Sequence, residues 1–140
     1  MKKYVIDTSV AVKWFSLEED TQAALELRDR LYRRECTILA PDLLLYELAN
    51  ALRFNPRFTN DDVKAAVGSV IDLGPEFVPA DSEMLRQAVD LAVRFNTTVY
   101  DACFLALADL RGLPLLSADV KLIAHAKGFS KLVRLGSEKT

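Results

Sequence analysis

Tyr4-Val5-Ile6-Asp7-Thr8-Ser9 decides how this chain is read. Three apolar, β-prone residues run directly into a carboxylate and two hydroxyls. A buried strand has no packing use for an acid, so Asp7 belongs where the strand emerges. Ser9 supplies an N-cap for a helix beginning near Val10. Strand, acid and helix start together place Asp7 at the carboxyl edge of an α/β sheet, where ligands collect. A plain turn would look the same if the hexapeptide stood alone. The weight therefore falls on whether other acids reach the same edge.

Leu113 to Asp119 repeats the pattern: apolar strand, Ser117, then Asp119 ahead of a helix over 120–127 ended by Gly128. If the two strands are parallel, Asp119 leaves the sheet beside Asp7. Two further acids interrupt apolar helices. Leu43 to Phe54 is apolar nearly all round, which predicts a helix buried on most sides, yet it carries Glu47, with Asn50 one turn on and Arg53 after that. Val99 to Ala108 carries Asp101 in its first turn, where the helix dipole alone would justify an acid.

The rest of the chain alternates strands and helices. Val10 to Phe15 reads as a short helix with Lys13 outward and Trp14 packed. Ser16-Leu17-Glu18-Glu19 has the spacing of a capping box for a helix through Leu31. Strands follow at 37–40, 76–79 and 131–135, and capped helices start at Thr59 and Asp81. Asp61 and Asp62 suit a helix start, and Asp109 reads as solvated. The pattern predicts one α/β domain over 1–140, with a mostly parallel sheet covered on both faces and a frayed tail at 136–140.

With 140 residues, 51% apolar and 27% charged, the chain is long enough for a real core and reads as soluble. No apolar run approaches a membrane span, and no signal-peptide core follows Lys2 and Lys3. Cys36 and Cys103 lack metal-like spacing and read as reduced thiols, which points to the cytoplasm. The one histidine, His125, makes His-based metal sites and a catalytic triad improbable and reads as structural. Net charge is −2, poor for nucleic-acid binding, but four acids neutralised by cations would leave +2.

Asp7, Glu47, Asp101 and Asp119 are the acids that interrupt or terminate apolar segments. Four carboxylates at one edge could not all stay ionised without cations. Oxygen donors without His or Cys select Mg²⁺ or Mn²⁺, which suits phosphoryl chemistry. Lys13, Arg53, Arg86, Arg94 and Lys121 are candidate phosphate contacts.

Asp7-Thr8-Ser9, Glu47-Leu48-Ala49-Asn50, Tyr100-Asp101-Ala102 and Ser117-Ala118-Asp119 resemble the motifs of PIN-domain ribonucleases, and the chain looks most like VapC toxins of toxin–antitoxin systems. The resemblance runs from about Tyr4 to Leu135. It implies a three-layer α/β/α sandwich around a five-stranded sheet of order 3-2-1-4-5. It implies an endoribonuclease that cuts single-stranded or looped RNA, leaving 5′-phosphate and 3′-hydroxyl ends, with one or two Mg²⁺ or Mn²⁺ per site. By position, Asp7, Glu47 and Asp101 would bind metal, with Asp119 as a direct or water-mediated fourth. Ser9 and Ser117 would orient them, and Asn50 matches a polar position near the site. A homodimer and an inhibitory antitoxin, its tail filling the acidic cleft, are implied as partners.

Other acid-rich α/β folds fit less well. Haloacid dehalogenase-like phosphatases carry Asp-x-Asp where this chain has Asp7 and Ser9, and a phospho-receiver would need an adjacent acid pair after the first strand. The alternative from another class is a non-catalytic PIN-like scaffold whose acids receive a basic peptide.

Overall fold

The computed structural model describes residues 1–137. Five strands form the sheet: β1 (Lys2–Ile6), β2 (Cys36–Pro41), β3 (Glu76–Val78), β4 (Leu115–Ser117) and β5 (Leu132–Arg134). Their order is β3-β2-β1-β4-β5 and every pairing is parallel. Parallel neighbours need crossovers, and seven helices supply them: α1 (Thr8–Val12), α2 (Thr21–Tyr32), α3 (Leu43–Arg53), α4 (Asn60–Leu73), α5 (Ser82–Phe95), α6 (Val99–Arg111) and α7 (Val120–His125). Right-handed crossovers put the helices leading to β2 and β3 on one face and those leading to β4 and β5 on the other. The result is the three-layer sandwich.

The sheet centre is dry. Val5, Ile6, Ile38, Leu115 and Leu116 are fully buried, and Leu105, Leu107 and Ala106 of α6 join them in one core. Each valine, leucine and isoleucine among them contributes roughly 1.5–3 kcal/mol by leaving water. The strand order reverses at β1, between β2 and β4. In open α/β sheets ligands collect at such a switch point, here at the carboxyl ends of β1 and β4.

Several local expectations change. Asp7, not Ser9, caps α1, which starts at Thr8; the Asp7 carboxylate accepts from the Ser9 backbone N–H at 3.1 Å. Lys13 does not point outward. It is 8% exposed, and its ammonium meets Glu18 at 3.1 Å. Trp14 packs as expected, donating its indole N–H to the Ala24 carbonyl at 2.8 Å.

Ser16 forms no capping box. Its hydroxyl turns back to the Val12 carbonyl, and Asp20, in the left-handed region at φ 65°, delays α2 to Thr21. The Thr59 capping box of α4 forms as its sequence predicts, with Asp62 as reciprocal partner. α7 stops at His125, two residues short of the expected end. Asp109 is not simply solvated: it accepts from Gln87 at 2.7 Å and Lys131 at 3.3 Å, joining α5 to the approach to β5.

The largest departure is α3. Only Leu44, Leu48 and Leu52, a single i, i+4, i+8 ridge, are buried. Tyr46 is 74% exposed, and Phe54, just beyond the helix, is exposed too. The expected frayed tail begins instead with a turn, in which the Ser137 N–H donates to the Arg134 carbonyl at 3.0 Å. The remainder of that tail, 138–140, lies outside the described residues.

Candidate active site

Asp7 is the first residue past β1, and its backbone N–H still donates to Leu116 of β4 at 3.3 Å. Its carboxyl is 4% exposed. One oxygen accepts from the Ser9 hydroxyl and backbone N–H, and the other from the Ser117 hydroxyl. The hydroxyls are themselves held. Ser9 Oγ accepts from the Ala118 N–H at 2.9 Å, and Ser117 Oγ from the Asp119 N–H at 3.0 Å. Each serine thus commits its only proton to Asp7, and the turns after β1 and β4 are laced together through one carboxylate.

Glu47 sits half-buried on α3, where Thr8 Oγ1 donates to Oε1 at 2.6 Å. Asp101 lies in the first turn of α6, fixed by Thr98, whose hydroxyl accepts the Asp101 N–H at 3.0 Å. Asp119 caps α7: one carboxylate oxygen takes the N–H groups of Lys121 and Leu122, at 3.0 and 3.1 Å. All four acids therefore stand at helix starts or on a helix packed beside the crevice.

Their electrostatics tie them together. Burial pushes the Asp7 pKa from 3.8 to about 6; bonds from Ser117 and Ser9 resist, and the Asp119 charge adds to the rise. Asp101 is raised by burial and then by Asp119. Glu47 is raised by burial, held back by Thr8, and raised again by Asp101. Asp7, Asp119, Asp101 and Glu47 thus form one chain of mutual repulsion, although they come from segments far apart in sequence.

Ser9 and Ser117 both donate to the Asp7 carboxylate. Asn50 is exposed one turn beyond Glu47, with no hydrogen bond from its side chain to the carboxylates among the described residues. Thr8 was missed as the partner of Glu47; its hydroxyl in the first motif was the available signal. Cys103 was missed as well: burial raises this thiol, and the Glu47 charge raises it further.

The donors on this edge are all carboxylate and hydroxyl oxygens, a chemistry that fits Mg²⁺ or Mn²⁺. Among the described residues no three His, Cys, Asp or Glu side chains form a ready-made metal cage. Mg²⁺ sites seldom need one, because the ion keeps waters and takes one or two carboxylates plus substrate phosphate. A cavity of about 730 Å³ along α2, lined by Leu17, Ala23, Glu26 and Arg30 among others, lies apart from these carboxylates.

The sequence matches the PIN domain family over residues 4–128. The chain belongs to that family. It is similar to Ribonuclease VapC3 of Pyrobaculum aerophilum, with 30% identity over 135 residues, covering 94% of this chain and 98% of that protein. It is equally similar to Ribonuclease VapC1 of Mycobacterium tuberculosis, 30% identical over 127 residues, covering 89% and 91%. These relatives place the PIN domain in the VapC branch. VapBC2 from Rickettsia felis, solved with a DNA fragment from its promoter, shares the fold at a TM-score of 0.71 and 12% identity, covering 94% of this chain and 98% of that one.

Proposed function

We propose that this PIN-domain protein is an Mg²⁺- or Mn²⁺-dependent endoribonuclease that hydrolyses phosphodiester bonds in single-stranded or looped RNA. We further propose that it is the toxin of a VapBC-type pair, cytoplasmic and homodimeric, with a cognate antitoxin that covers the acidic crevice. The observation that carries the reading is the chain of repelling carboxylates at the switch point of the sheet. Bound cations relieve the repulsion within such a cluster.

In this reading Asp7, Glu47 and Asp101 hold one or two ions, with Asp119 bound directly or through a water. Bound there, Mg²⁺ or Mn²⁺ would polarise the attacking water and neutralise charge gathering on the phosphoryl oxygens. The serines keep Asp7 aimed into the crevice, and Thr8 does the same for Glu47. Asp119, locked by two backbone N–H groups, orients the water with its free oxygen. Asp101, through an oxygen that does not hold an ion, takes the proton as the water oxygen bonds to phosphorus. The bond from phosphorus to the 3′ oxygen breaks, leaving a 5′-phosphate and a 3′-hydroxyl that takes a proton from solvent.

The test is Mn²⁺-dependent cleavage of single-stranded RNA by the purified chain, with sequencing of the new 5′ ends. Asp7→Asn should lower the rate by at least roughly 100-fold, more than loss of an outer partner costs. Undiminished cleavage by that variant refutes the assignment. Among the described residues no ready-made cage forms, and the second reading is a scaffold whose acids receive a basic peptide. Calorimetric titration with Mn²⁺ separates the two, since a scaffold shows no carboxylate-dependent uptake.

A further inference from the structure

Two exposed tyrosines stand next in sequence to acids of the site. Tyr46 is 74% exposed on α3, and Tyr100 is 64% exposed in the first turn of α6. Each immediately precedes a site carboxylate, Glu47 in one case and Asp101 in the other. One helical step turns a side chain by about 100°, so each ring stands beside its carboxylate rather than over it. The Asp101 charge acts on Glu47, so the helices that carry the two rings approach one another at this pair.

Neither phenol has a hydrogen-bond partner among the described residues. A single exposed ring needs no explanation, but these two stand next in sequence to site acids.

The stripe continues along α3. Tyr46, Asn50 and Arg53 follow at i, i+4 and i+7, all exposed and on one side of the helix. The Arg53 guanidinium lies over the exposed Phe54 ring, 4.5 Å from its centre, and makes no salt bridge among the described residues. Beyond it a cavity of about 270 Å³ is lined by Arg53, Phe58, Thr59, Asn60 and Val63. Ring, amide, uncompensated cation and ring make a poor apolar interface. They match a polyanion with exposed π-faces.

We propose that Tyr46 and Tyr100 are base-stacking platforms for single-stranded RNA, and that the strand leaves the crevice along α3 past Asn50 to Arg53. The assignment deepens the nuclease reading and rests on it. Stacking explains why the rings sit in solvent: a base covers each only when RNA is bound. It also selects for single strands, because a paired base keeps its faces stacked on its neighbours. Arg53 meets a phosphate on the far side of the nucleotides held by the rings.

The test measures binding separately from cleavage. Asp7→Asn serves as the uncleaving parent, and fluorescence anisotropy follows a fluorescein-labelled oligoadenylate in Mg²⁺, alone and annealed to its complement. Tyr46→Ala and Tyr100→Ala should each weaken single-strand binding by roughly tenfold. Tyr46→Phe and Tyr100→Phe keep the ring and should recover most of that loss. Tyr32→Ala, at the exposed end of α2, is the control and should leave affinity as it was. Arg53→Ala should weaken binding and flatten its salt dependence.

The proposal is overturned if the parent binds no RNA, if the alanine variants bind as the parent does, or if phenylalanine is as poor as alanine. It is also overturned if the alanine variants leave RNA affinity intact while a dimer falls to monomer in sedimentation, which would make the stripe a protein interface. Cleavage by the unsubstituted chain is scored on its own. Its failure with ring-dependent binding intact refutes the nuclease reading alone.

Discussion

Asp7→Asn should make the metal-free protein more stable at pH 8 while removing its activity. The folded pKa of Asp7 is raised from 3.8 to about 6, chiefly by burial. Between those values the folded state keeps a proton that the unfolded chain has released, so stability falls as pH rises through the window. Above pH 6 both states are ionised and the whole cost is present, about 3 kcal/mol from the two pKa values. Asparagine carries no charge to bury; its amide oxygen can accept from one serine, while its N–H group faces the other serine oxygen, whose proton loses its acceptor and offsets part of the gain.

The variant should therefore exceed the parent by roughly 1–3 kcal/mol at pH 8, worth about 5–10 °C in a chain of this size. Lowering the pH to 4.5 should narrow the gap by about 2 kcal/mol, because the parent is then protonated when folded. Urea denaturation in EDTA at the two pH values measures it. A variant that is no more stable at pH 8, or a difference that ignores pH, refutes the account of Asp7 as a buried, strained anion.

Three more outcomes follow from the same geometry. Mn²⁺ at ten times its dissociation constant should stabilise the parent by about 1.4 kcal/mol and Asp7→Asn much less, read as a shift in melting temperature. Ser117→Ala removes one of the two serine hydroxyls that donate to Asp7 and should cost about 1–3 kcal/mol at pH 8, less at pH 4.5, with Mn²⁺ affinity down roughly 10- to 100-fold by calorimetry. Thr59→Ala breaks the α4 capping box and should cost about 1 kcal/mol by urea denaturation while the cleavage rate stays level.

The site was legible because acids are conspicuous at positions where packing asks for carbon. Asp7 and Asp119 end strands, and Glu47 and Asp101 break apolar helices, so four local anomalies located one edge. What supports them was less legible. The bond from Thr8 to Glu47 joins residues 39 apart, and nothing in either segment names the other. Lys13 was misplaced because an isolated lysine reads as solvated, whereas Glu18 lies within reach once the loop closes. Ser16 failed as a cap because a left-handed Asp20 intervenes before the helix begins. The exposed side of α3 was missed because hydropathy counts Tyr46 as apolar and cannot tell a ring facing the core from one held for a ligand.

The contact between Ser117 and Asp7 spans 110 positions of the chain. A polypeptide emerging from the ribosome therefore cannot complete the pocket until its penultimate strand and the acid after it are free of the exit tunnel. A chain without β4 would hold Asp7 with Ser9 alone, so the buried acid gains its full set of bonds only when both central strands are in place.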